Sequence, residues 1–101
     1  MKKIFSILII GAFLALSVSA FSADGKTLFK RCSACHGKDG SKKALGVSAP
    51  LKGEKADVLF KKMKGYQDGT YGGKKKAIMK RNVAKLSDEQ LKALATYIAT
   101  L

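Results

Sequence analysis

Two cysteines stand two residues apart and are followed at once by the chain's one histidine, in the run Cys32-Ser33-Ala34-Cys35-His36. No other cysteine is present, so one short segment carries all the thiol and imidazole chemistry available to the chain. Two intervening residues let a single helical turn present both sulfurs, with the imidazole delivered beside them. The residues before the run support that geometry. Asp24 is a good helix cap, and Leu28, Phe29 and Cys32 share one face at helical spacing. A helix is therefore predicted from Asp24 to about Ala34, carrying the cysteines into the core.

The start of the chain bears on what the cysteines do. Met1-Lys2-Lys3 is a short basic segment, Ile4 to Leu16 is apolar and uncharged, and Val18-Ser19-Ala20 has the small-x-small form of a secretory cleavage site. Residues 1–20 are expected to be a cleaved signal peptide. A cut after Ala23 is the alternative, although it sets bulky Phe21 at the third position before the cut. As an uncleaved membrane anchor the apolar run falls short of the roughly 20 residues a span requires, so no stable membrane insertion is expected. Residues 21–101 then read as one exported domain of about 80 residues, with no internal repeat. At that size an apolar core alone is marginal, and a cofactor, metal or disulfide commonly supplements it.

In an oxidising compartment a disulfide is the default for two cysteines. The adjacent histidine changes the default, because Cys-x-x-Cys-His is the attachment signature of haem c. Each thiol adds to one vinyl group of the porphyrin, and the following imidazole is placed to bind the iron. A redox-active dithiol of the thioredoxin kind needs a βαβ setting, and no segment here alternates with period two. A closed zinc site needs four ligands, against the three offered by Cys32, Cys35 and His36. One covalently bound haem c per chain is the reading that fits motif, export and size together.

The rest of the chain reads as helices and loops, an all-α domain. Residues 37–53 are rich in Gly, Lys and Ser and hold the only proline, Pro50, which marks a loop. A helix is predicted over Lys55 to Lys64 from the stripe Leu59, Phe60, Met63, with Gly65 as its stop and a second loop to Gly73. Residues 74–79 suggest a short helical turn. Ser87-Asp88-Glu89-Gln90 is a capping box, with Leu86 and Leu91 placed as a hydrophobic staple. Leu91, Leu94, Ala95 and Ile98 then mark a final helix packed on one side.

The sixth iron ligand separates an electron carrier from a protein that binds small molecules. His36 is the one histidine, so a second imidazole is excluded. A thioether is the natural alternative, since it favours reduced iron and raises the potential. Met63 sits on an apolar helical stripe, where methionine is usually filler. Met79 lies late in the chain, where a returning segment can close over the face opposite His36. An open site is the third reading.

The whole of residues 21–101 resembles the small class I c-type cytochromes, in particular the short periplasmic monohaem cytochromes of sulfate-reducing and related bacteria. The resemblance is carried by Cys32 to Gly37, Lys62-Met63-Lys64-Gly65-Tyr66, Tyr71-Gly72-Gly73, and Leu86 to Leu91 leading to Leu94 and Tyr97. It implies the cytochrome c fold, three to four helices wrapped around one haem, with the first and last helices crossing. It also implies that Met79 is the axial methionine, that Gly25 permits the crossing, and that Phe29 and Tyr97 pack there. A proline carbonyl that accepts the imidazole's other hydrogen corresponds to Pro50. Many members anchor a haem propionate with tryptophan; this chain has none, and either Tyr66 or Tyr71 supplies the hydroxyl instead or both simply pack against the haem edge.

Charge points to the partner. Cleavage after Ala20 leaves eighteen basic residues against seven acidic ones, formally +11. Such a field speeds association with anionic surfaces, and an exported protein rarely meets nucleic acid. The expected partner is the acidic surface of a redox protein, a dehydrogenase, hydrogenase or oxidase, docking transiently with a monomer. The rim would be drawn from Lys38, Lys42, Lys43, Lys74, Lys75, Lys76, Lys80 and Arg81. A haem enzyme would need a distal acid or base on an open iron, and no second histidine is available for it.

Overall fold

The computed structural model describes residues 24–101. The expected signal peptide, residues 1–20, lies outside them. Four helices follow in order: α1 (Gly25–His36), α2 (Ala56–Asp68), α3 (Lys76–Val83) and α4 (Asp88–Ala99), with a 3-10 turn at Ala44–Gly46 between the first two. Among the described residues there is no strand. None of these helices is long and apolar enough to cross a membrane.

Asp24 caps α1 by accepting the Lys26 N–H at 3.1 Å. The helix runs two residues beyond the expected Ala34 and ends where Gly37 turns to φ +84°. That extra stretch keeps Cys35 and His36 helical, so the motif is held by a regular backbone. In α4 the capping box forms on both sides, with Ser87 Oγ accepting from the Gln90 N–H at 3.2 Å and Gln90 Oε1 accepting from the Ser87 N–H at 2.9 Å. The expected stripe Leu91, Leu94, Ala95 and Ile98 is buried in full. Leu91 and Leu94 are inaccessible to solvent, and burial of each leucine contributes about 1.5–3 kcal/mol.

α4 is the centre of the packing, since both α1 and α2 lie against it, while α3 packs extensively on α2 alone. The contact of α1 with α4 depends on Gly25. A Cβ there would collide with the carbonyl oxygen of Ala93 and lie 2.8 Å from Tyr97 Cβ. One turn further on, the rings of Phe29 and Tyr97 meet with centroids 5.6 Å apart.

α2 departs from the expected bounds. It begins at Ala56 and passes through Gly65 to Asp68, and the left-handed cap is Gly69 at φ +76°. Gly65 is buried inside the helix, and a Cβ on it would stand 2.5 Å from Tyr71 Cβ. A glycine inside a helix costs about 1 kcal/mol relative to alanine; here it admits the returning chain. The expected turn at 74–79 is instead the two-turn helix α3, which buries Val83.

The loop between α1 and α2 is pinned rather than free. The carbonyl of the buried Gly40 accepts from Leu51 N–H at 2.7 Å and Lys52 N–H at 3.0 Å. Asp39 accepts from the Ser41 hydroxyl at 2.6 Å and pairs with Lys52 at 3.3 Å. These ties fold the segment back and bring Pro50 towards the end of α1.

Candidate functional site

The four helices and the pinned loop enclose a cavity of about 810 Å³, within the span of roughly 300–1,000 Å³ typical of cofactor and ligand sites. Its wall is mostly apolar, with Leu59 from α2, Leu94 and Ile98 from α4, and Ile78 from α3. Cys32, Cys35, His36, Pro50, Tyr66, Tyr71 and Met79 all lie on this wall, so every residue singled out in the sequence for cofactor binding meets in one place.

His36 is the one buried polar residue among those described, 6% exposed, and its Nδ1 has no hydrogen-bond partner. A buried polar atom left unpaired is costly and rare in a folded protein. Burial also pushes the imidazole's pKa down, so the ring is neutral and can offer a lone pair to a metal. Cys32 is half-buried and Cys35 exposed, both as free thiols. Burial raises the Cys32 pKa, with Arg31 acting in the opposite sense. A neutral imidazole beside two unpaired thiols on one helical turn, facing an apolar cavity of cofactor size, fits a covalently attached haem. No cluster of three or more metal-ligating His, Cys, Asp or Glu side chains exists among the described residues.

Both methionines of the described chain reach the cavity. Met63 is 7% exposed and belongs to the core with Leu59 and Val83, whereas Met79 is half-buried on α3 and packs against that core from its edge. The bond from His36 Nδ1 to the Pro50 carbonyl, implied by the resemblance, is not made, since Nδ1 is unpaired while Pro50 is exposed at the wall.

Tyr66 and Tyr71 form an edge-to-face pair with centroids 5.1 Å apart. Tyr66 is half-buried and burial raises its phenol pKa, while Tyr71 is 41% exposed. Beside them Glu54 and Lys62 form an ion pair on the cavity wall, and Lys62 Nζ lies 6.0 Å from the Tyr71 ring centroid. Nothing in the sequence singled out this pair, because its partners are eight residues apart across a helix start. Of the eight basic residues expected at the rim, Lys74, Lys75 and Lys76 lie on the cavity wall, and the other five are exposed on the loop and on α3.

Comparison with known proteins agrees with this site. Residues 22–101 match the family model described as cytochrome c. The chain is 55% identical over 102 residues to cytochrome c-553 of Nitratidesulfovibrio vulgaris, covering 100% of both sequences. It is 48% identical over 71 residues to cytochrome c-553 of Desulfomicrobium norvegicum, covering 70% of this chain and 86% of the relative. Cytochrome c-553 of Helicobacter pylori is 40% identical over 101 residues, which covers 100% of this chain and 99% of that one. With the Cys-x-x-Cys-His turn on the wall of a cofactor-sized cavity in an all-helical domain, the chain belongs to the cytochrome c family.

Proposed function

We propose that this monohaem c-type cytochrome, an electron carrier and not an enzyme, is exported to the periplasm with loss of residues 1–20 and passes single electrons between a redox enzyme and an acceptor. One observation carries the reading: a buried neutral histidine directly follows a Cys-x-x-Cys pair on a cavity wall that Met79 shares. Cys32 and Cys35 would hold the haem through thioether bonds, and His36 and Met79 would ligate its iron. When bound, haem supplies a one-electron Fe(III)/Fe(II) couple.

The chain's own residues set the conditions for that couple. The neutral His36 would contribute one nitrogen, and the Pro50 carbonyl on the same wall would accept its Nδ1 hydrogen in the loaded protein, a bond absent from this structure that would orient the ring and raise its basicity. The Met79 thioether favours the reduced state. Leu59, Leu94 and Ile98 keep water from the centre, and Tyr66 or Tyr71 offers a phenol to a propionate. Lys74, Lys75 and Lys76, at the cavity wall, and the exposed Lys38, Lys42, Lys43, Lys80 and Arg81 present positive charge to an acidic face of a dehydrogenase, hydrogenase or oxidase. Rim charges of this kind raise encounter rates more than they lengthen the complex's lifetime, which suits a carrier.

The test is spectroscopic. The oxidised protein should show the weak sulfur-to-iron charge-transfer band, Met79→Ala should abolish it, and Met63→Ala should retain it. A band lost with Met63 instead would reassign the ligand. Absence of the band in the parent, with ready carbon monoxide binding by the reduced form, would favour a gas-binding haem protein.

A further inference from the structure

α3 carries Met79 yet has little of its own to hold it in place. It is eight residues long, well short of the roughly 12–15 at which an isolated helix becomes marginally stable. Lys75 at its N-cap makes no side-chain capping bond, and its first turn has no acidic residue. Lys74, Lys75 and Lys76 crowd the same end, where positive charge opposes the helix dipole. Val83 is its one buried side chain.

Beside an exposed bond from Lys76 Nζ to the Gly69 carbonyl at 3.3 Å, two side-chain ties make up the deficit. From α2, the Gln67 amide donates to the carbonyls of Val83, the last residue of α3, and of Leu86 just beyond it, both at 2.8 Å, and so ties the C-terminal end of α3 to α2. From α1, Arg31 Nε donates to Asn82 Oδ1 at 3.0 Å, and Asn82 Nδ2 donates to the Ile78 carbonyl at 2.9 Å. Arg31 immediately precedes Cys32, and Asn82 lies three residues beyond Met79, so both stand on the cavity wall. The second tie thus joins the helix bearing the thiols directly to the helix bearing the methionine.

We infer that Gln67 and the Arg31–Asn82 pair form a two-point latch that holds α3 against the cavity and sets how readily Met79 yields its position to a competing ligand. They are positioning residues, and the inference rests on Met79 being the axial ligand. An outside ligand binds in proportion to the fraction of molecules in which α3 has swung away. Loss of one hydrogen bond raises that fraction by about two- to tenfold.

The experiment uses the haem-loaded ferric protein with imidazole as the competing ligand, in the parent and in Gln67→Leu, Arg31→Leu and the double variant. Apparent imidazole affinity should rise about two- to tenfold in Arg31→Leu, which removes one hydrogen bond, more in Gln67→Leu, which removes two, and furthest in the double variant. Amide hydrogen exchange should accelerate over Lys76–Val83 while α1 and α4 keep their protection. Restoring a shorter donor with Gln67→Asn should recover part of the parent behaviour. Unchanged imidazole affinity in both single variants would overturn the latch. So would exchange that rises equally in all four helices, the mark of general destabilisation. Met79→Ala separates the two levels: if it leaves both the charge-transfer band and imidazole affinity at parental values, the ligand assignment fails. If it removes the band and opens the iron while the latch variants match the parent, the latch alone fails.

Discussion

Replacing Gly25 by alanine adds a single methyl group where α1 crosses α4. The new Cβ would collide with the Ala93 carbonyl oxygen and stand 2.8 Å from both the Ala93 carbonyl carbon and Tyr97 Cβ. Two of these atoms are backbone, so no rotamer change relieves the clash and α1 must move away from α4. Overpacking of this kind costs about 1–3 kcal/mol. Separation also weakens the Phe29–Tyr97 ring contact, now at 5.6 Å, and such pairs contribute about 0.5–1.5 kcal/mol beyond their area. Against this stands the better helix propensity of alanine, at most about 1 kcal/mol and less at a first helical position. The net expectation is a loss of about 1–3 kcal/mol, to be measured by urea unfolding of the haem-loaded protein followed by far-ultraviolet circular dichroism. Gly73→Ala is the control, since a Cβ there meets nothing within 4 Å, and it should stay within about 0.5 kcal/mol of the parent. A Gly25→Ala protein unfolding at the parental midpoint with an unchanged slope would refute the argument. It would mean that α1 and α4 can slide apart freely, and that the wall formed by Leu94 and Ile98 does not depend on their crossing.

Two further outcomes are expected. The Ser41 hydroxyl, then its N–H, then Lys52 hold the Asp39 carboxyl down to about 2, below its ordinary 3.8, so the unfolded chain binds more protons between these values. Stability from Asp39 is therefore complete above pH 3.8 and lost as pH falls through about 2. Asp39→Asn should flatten the urea midpoint over that window, and an unchanged acid slope would show that the loop clamp contributes nothing. Reduction by an acidic redox partner should slow about tenfold or more as ionic strength rises from about 0.01 to 0.3 M and the Debye length shrinks from about 30 Å to below about 10 Å. A rate indifferent to salt in stopped-flow measurements would remove the lysines from the encounter.

The features legible in the sequence are those whose causes lie within a few residues. The Cys-x-x-Cys-His turn is one, because Cys32, Cys35 and His36 need only a regular helix to be presented together. α4 is another, since the Ser87–Gln90 box and the Leu91 to Ile98 stripe are interactions of neighbours along a helix. The role of Gly25 and the Phe29–Tyr97 contact came from family resemblance, and the packing bears them out.

Where causes lie far apart along the chain, local reading gave the wrong boundary or none. Gly65 has the composition of a helix stop, but the return of Tyr71 over it makes it an interior packing position and passes the stop to Gly69. α3 reads as a single turn because its own residues barely support a helix; it is held by α2 and by side chains 16 and 51 residues distant. Thus the sequence alone determined what the protein carries, since thiol and imidazole chemistry is written in five adjacent residues. Tertiary structure decided how Met79 is held to the cavity wall, because that depends on hydrogen bonds from Gln67 and Arg31 that exist only once the helices have packed.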